Sequence, residues 1–193
     1  MDDADIKRIP SVLEAIEHDT RQIGFTMGSE PKTGALLRTL AATKPAGRIL
    51  ELGTGTGIGT AWLLAGMDAN AKLDSVDSDA SVLEIAKRHL GDDLRVTFHL
   101  AEGAQFLANA RTPYDLIFAD AWAGKYNHLD EALSLLLVGG IYFIDDLLSQ
   151  PNWPEDHKPK VAALINDLES REKFDVTKLE WASGLMIIVR TAV

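Results

Sequence analysis

The sequence predicts an α/β protein built on one mostly parallel sheet with helices on both faces. Three observations predict it. Apolar runs of strand length alternate with helical stretches from about residue 31 to residue 144, which is the order that lays parallel strands side by side. The first of those runs leads into a cluster of four alternating glycines. At the end, Phe174 to Glu180 and Leu185 to Val189 read as two strands separated by Ala182-Ser183-Gly184, a spacing that makes a hairpin and turns one terminal strand antiparallel.

In order, Ile6 to Ile23 has helical periodicity through Ile6, Ile9, Val12, Leu13, Ile16 and Ile23, an apolar face available to cover a site or to pair with a second subunit as a homodimer. Pro31 opens a helix to Ala42, and Arg48 to Leu52 is a buried strand. A helix from Gly57 to Ala65 follows the glycines. Lys72 to Asp77 is the second strand, and Ser78 or Asp79 caps a helix that ends at Gly91. Arg95 to Leu100 and Tyr114 to Ala119 are further strands, the latter ending in Asp120. A helix over Leu129 to Leu137 and a strand over Gly140 to Ile144, ending in Asp145-Asp146, complete the alternation.

The 193 residues suit one domain, 1–193, with 1–24 as an N-terminal helical extension. No apolar run approaches the roughly 20 residues that cross a bilayer, and the start is acidic, so the expectation is a cytoplasmic protein with no membrane partner. The absence of cysteine removes disulfides, thiolate metal sites and thiol nucleophiles, leaving hard cations favoured for any metal. A net charge of -10 argues against nucleic acid as a partner. The longest basic run, Lys87-Arg88-His89, falls on a predicted helix as a solvated face.

The chemistry gathers where the first strand meets the next helix. In Glu51-Leu-Gly53-Thr-Gly55-Thr-Gly57-Ile-Gly59 the glycines let backbone approach a ligand and adopt positive φ. A dinucleotide fingerprint, G-x-G-x-x-G, fails in both frames, because Ile58 or Thr60 stands at the third glycine. A P-loop fails too, for want of a lysine. Asp77, closing the second strand, can accept hydrogen bonds from both hydroxyls of a ribose, a role common to NAD and adenosylmethionine sites.

The glycine pattern with Asp77 after it resembles motif I and its successor in class I S-adenosylmethionine-dependent methyltransferases. From about Phe25 to Asp146 the chain is similar to the small O-methyltransferase branch that includes catechol O-methyltransferase and bacterial relatives. The resemblance implies a Rossmann-like, doubly wound sheet of order 3-2-1-4-5-7-6. It implies a small-molecule acceptor with a hydroxyl group, and a cofactor held by Met27 and Ser29 over its methionine half. Glu51, Gly53, Thr54, Gly55, Asp77, Ser78, Glu102, Gly103, Asp120 and Trp122 complete that implied set.

Asp120 and the pair Asp145-Asp146 should end neighbouring strands, and three crowded carboxylates suit magnesium or another divalent cation that would also bind the acceptor. The family commonly has asparagine at the position of Asp146. Its catalytic lysine falls at Ala123 here, so Asp120, Lys125 and His157 are the candidate catalytic groups. Trp122 and Trp153 lie in loops at the ligand edge, where they can stack on adenine or an aromatic acceptor. Two other readings compete: an NAD-dependent oxidoreductase, and a cofactor-binding module without catalysis.

Overall fold

The computed structural model describes residues 2–150, 153–154 and 156–192. Seven strands form one sheet of order β3-β2-β1-β4-β5-β7-β6, where β1 is Arg48–Leu52, β2 Lys72–Asp77, β3 Val96–Leu100, β4 Tyr114–Ala119, β5 Leu136–Ile144, β6 Phe174–Leu179 and β7 Leu185–Arg190. The first five strands run parallel, while β7 pairs antiparallel with both β5 and β6. This is the Rossmann-like order and hairpin that the sequence resemblance implied.

Because side chains alternate along a strand, each central strand divides its residues between two cores. Ile49, Leu116, Phe118 and Phe143 face one side, under α1 (Leu13–Gln22), α2 (Pro31–Ala42), α3 (Ile58–Gly66) and α4 (Ala80–Leu90). Leu50, Leu52, Ile117, Ala119, Tyr142 and Ile144 face the other, with α5 (Gly103–Asn109), α6 (Leu129–Ser134) and α7 (His157–Glu169). All ten of these strand residues are fully or almost fully buried, and a buried side chain of this size contributes about 1.5–3 kcal/mol. Asp79 caps α4 by accepting from the Ser81 amide at 2.8 Å. Arg88 and His89 of the basic run reach Asp19 at 2.9 Å, so they tie α4 to α1 rather than forming a free cationic face.

Four local expectations change. Only Leu13–Gln22 of the N-terminal stretch is helical, since Arg8 takes φ +55° and Pro10 follows it, which breaks the run before α1. α6 stops at Ser134, and Leu136 joins β5 by pairing with Tyr114. The Leu136 to Val138 stretch is thus strand, not helix, with a register shift and Gly139 at φ +78° before the regular part of the ladder. Helices α5 and α7 add to the elements that the sequence predicts. His157 accordingly opens a helix instead of closing a loop.

α2 and α3 pack at very close range. A Cβ on Gly34 would stand 2.2 Å from Nε1 of the fully buried Trp62. Gly34→Ala should therefore destabilise the fold by about 2–3 kcal/mol through overpacking. At roughly 2–4 °C per kcal/mol for a chain of this size, calorimetry should record a melting temperature lower by about 4–12 °C.

Candidate functional site

The carboxyl ends of β1, β2 and β4 open onto a cavity of about 480 Å³. Its floor is the glycine turn. Gly53, at φ +99°, lets the exit of β1 press against that of β4, for a Cβ there would lie 2.5 Å from the Asp120 carbonyl oxygen. The Gly53 amide donates to the Val76 carbonyl at 2.9 Å, and the Asp120 amide to the Leu52 carbonyl at 2.8 Å, so three strand ends are locked together. Thr20 of α1 donates to the Thr56 hydroxyl at 2.8 Å and supports the turn from behind.

Asp77 faces this cavity while bracing it. Its Oδ2 accepts from the Gly55 amide at 2.7 Å and its Oδ1 from the Asp79 amide at 2.9 Å. Met27, Ser29, Gly53, Thr54, Gly55, Ser78, Glu102, Gly103, Asp120 and Trp122 line the same space, as does Asp77. Glu51 does not line it. It lies fully buried beside the turn, where Oε2 accepts from Thr60 and Ser75, each at 2.5 Å. Its Oε1 has no partner among the described residues. Burial pushes the Glu51 carboxyl up to about 7, against the two hydroxyl donors that favour the charged form, and the charge of Asp77 adds to the rise.

Asp120 keeps a fifth of its side chain exposed. Burial, together with the neighbouring charge of Asp145, raises its carboxyl well above the usual range, and Lys125 opposes that rise. The cavity wall and the carboxylates behind it suit a ligand that carries positive charge.

The other candidates lie further back. Lys125 is 6% exposed, with Nζ donating to the Asp145 carbonyl at 3.1 Å and standing 3.9 Å from Asp120 Oδ1. His157 is buried, its Nε2 sharing a 3.1 Å hydrogen bond with the Tyr126 hydroxyl. Trp122, half exposed, meets Tyr126 and His157 edge-on, and Trp153 packs against His157 at 4.1 Å between ring centroids. Of the loop that carries Trp153, Pro151, Asn152 and Glu155 lie outside the described residues.

The carboxylates do not assemble as a metal centre. Asp145 turns inward, accepting from the Ser183 hydroxyl and the Asp146 amide, and is 3% exposed. Asp146 adopts φ +67°. Among the described residues no group of three or more carboxylate or imidazole side chains stands where it could hold a metal ion. The expected ligand set Asp120, Asp145 and Asp146 is thus not found as a metal-binding group among the described residues, although Asp145 and Asp146 stand near enough for their charges to act on Asp120.

Residues the sequence reading did not single out also line the cavity, among them Phe25, Ile58, Val82 and Asn127. Phe25 had a signal in its position just before the Met27 segment. Asn127 had none, because it arrives through the loop after β4.

The family model described as a methyltransferase domain matches residues 50–147, just over half of the chain and all of the turn, Asp77 and the strand-end acids. The chain belongs to this methyltransferase family. Relatives agree with the assignment. One from Mycolicibacterium vanbaalenii, carrying the provisional name O-methyltransferase, is 33% identical over 136 residues, 66% of this chain and 60% of the relative. A similarly named protein from Mycobacterium ulcerans is 30% identical over 120 residues, 59% of this chain and 54% of its own length. The match thus spans somewhat over half of these relatives.

Solved methyltransferases share the fold along nearly the whole chain. The O-methyltransferase TomG from Streptomyces achromogenes, crystallised with SAM, superposes with a TM-score of 0.84 at 20% identity, covering 98% of this chain and 93% of its own. The O-methyltransferase from Bacillus cereus, crystallised with SAH, does so with a TM-score of 0.83 at 18% identity, covering 97% and 94%.

Proposed function

We propose that this methyltransferase domain binds S-adenosylmethionine and methylates an oxygen of a small, hydroxylated, aromatic acceptor. The observation that carries the reading is the meeting of the glycine turn and Asp77 on one cavity whose surroundings are acidic. Family membership and the adenosyl complexes of the structural neighbours support it. When bound, adenosylmethionine supplies a methyl group on a positively charged sulfur.

The chain's own residues do the rest. Asp77 accepts from the ribose hydroxyls, backbone at Gly53 to Gly55 makes room for the adenosyl group, and Glu102 stands at the adenine end. Met27 and Ser29 close over the methionine half. Glu51 and Asp120 set a negative potential that favours the cationic cofactor over its neutral-sulfur product. Asp120, with its raised carboxyl, takes up the proton of the acceptor hydroxyl, a task that asks for a base weaker in acid strength than an ordinary aspartate. Trp122 forms the wall for a flat acceptor, and His157 holds that wall through Tyr126 and Trp153. Lys125 serves Asp120 from behind.

Methyl-labelled adenosylmethionine, incubated with the protein and a panel of mono- and dihydroxylated aromatics, tests this reading. Mass spectrometry should find one added methyl on oxygen in at least one acceptor. Label that stays in the cofactor with every acceptor, together with firm NAD binding, would overturn it.

A further inference from the structure

The acidic end of the sheet holds its own cation. Lys125 is a type of side chain seldom buried, because its ammonium is strongly hydrated and its stem long enough to reach water. Here a tight loop prevents that. The Lys125 and Tyr126 amides both donate to the Trp122 carbonyl, Gly124 turns at φ +87°, and the buried Tyr142 hydroxyl donates to the Gly124 carbonyl at 2.6 Å. The turn brings Nζ to 3.1 Å from the Asp145 carbonyl and 3.9 Å from Asp120 Oδ1.

Buried charges persist when they are paired, and the Lys125 ammonium stands within ion-pair distance of the Asp120 carboxylate, at 3.9 Å. A hard divalent ion would need several free oxygens at close range. Oδ1 of Asp145 already accepts two protein donors, the Ser183 hydroxyl and the Asp146 amide, and beside Asp120 the Lys125 ammonium already supplies a positive charge.

We propose that Lys125 is the built-in counter-ion of this site, standing in for a divalent metal, so that the domain transfers methyl groups without one. The catalytic half of this proposal rests on the methyltransferase reading, whereas the charge half does not. Lys125 acts through Asp120 and is a positioning residue.

The test compares wild type, Lys125→Met and Lys125→Arg by Mn²⁺ titration followed by electron paramagnetic resonance. Thermal melts and methyl transfer are measured alongside, in excess EDTA and in excess Mg²⁺. Wild type should bind no Mn²⁺ tightly and keep its melting temperature and turnover in EDTA. Lys125→Met, which leaves the acids unbalanced, should lose turnover roughly tenfold or more in EDTA and gain both Mn²⁺ binding and a melting temperature that rises with metal. Lys125→Arg, which restores the charge, should return to indifference to metal, an effect that loss of packing alone would not produce.

Stoichiometric Mn²⁺ binding to wild type, or turnover lost in EDTA and recovered in Mg²⁺, would overturn the proposal. So would a Lys125→Met protein that neither gains metal binding nor loses turnover. Should Lys125→Met fail to fold, the wild-type titration still decides. A protein without turnover on any acceptor would count against the methyltransferase reading alone, since the Mn²⁺ and melting measurements need no acceptor.

Discussion

Asp77→Ala should weaken adenosylmethionine binding by about two to four orders of magnitude. Hydrogen bonds to a charged acceptor contribute about 1.5–3 kcal/mol each, and two ribose hydroxyls facing one carboxylate would lose both. The same carboxylate accepts the Gly55 and Asp79 amides, so the variant should also melt at a lower temperature as the turn loosens. Asp77→Asn keeps one acceptor oxygen and the side-chain shape but sets an NH2 group against one of those two amides, so it should lose about tenfold in affinity and melt between wild type and Asp77→Ala. Calorimetric titration measures both variants, and a dissociation constant for Asp77→Ala within about threefold of wild type would remove Asp77 from the cofactor site.

Glu51→Gln should change stability and affinity in opposite directions. The folded carboxyl titrates at about 7 against an ordinary value of 4.5, raised first by burial. A carboxyl raised on folding gives its full contribution to stability below about pH 4.5 and loses it as pH climbs through 7. Between those limits the cost to the empty protein is of the order of 3 kcal/mol. Glutamine cannot ionise, and its oxygen can still accept from Thr60 and Ser75, although its buried amide lacks a partner.

At pH 8 the empty variant should thus melt a few degrees above wild type, with the difference reversed near pH 5. Its affinity for adenosylmethionine at pH 8 should fall by about tenfold or more, because an ionised carboxylate near a cationic ligand has been removed. Wild-type affinity should weaken as pH drops through 7, and in the variant that dependence should be shallower. Melting curves and titrations across pH 5 to 8.5 decide the matter. A variant less stable than wild type at pH 8 would mean that Glu51 is held ionised by something other than its neighbours in the empty cavity.

The parts of the fold legible in the sequence were those fixed by local chemistry. The buried strands at Arg48–Leu52 and Tyr114–Ala119, the alternating glycines and the acids one step beyond each strand are set by period and turn chemistry, and they fall where a parallel sheet must present them. α7 was legible in principle from the spacing of its buried Val161, Leu164 and Leu168, but Pro159 inside its first turn makes the segment read as loop. The extension of β5 was not legible, since Leu135 to Leu137 reads as the end of a helix until Tyr114 is there to pair with Leu136.

The site divides the same way. Counting carboxylates at strand ends found Asp120, Asp145 and Asp146 together, yet could not tell that Asp145 turns toward Ser183. Nor could spacing reveal that Lys125, two positions past the family's lysine, folds inward. That depends on the φ of +87° that Gly124 adopts and on a hydroxyl from β5, Tyr142, which is distant from the loop in the chain. Loops after strands take their shape from what they land on.

The most direct measurement is a crystal structure of the protein with adenosylhomocysteine. The ribose hydroxyls should lie within hydrogen-bond distance of the Asp77 carboxylate, with the sulfur on the Asp120 side of the glycine turn. A complex with the nucleoside seated elsewhere, or with Asp77 turned from the sugar, would contradict the account.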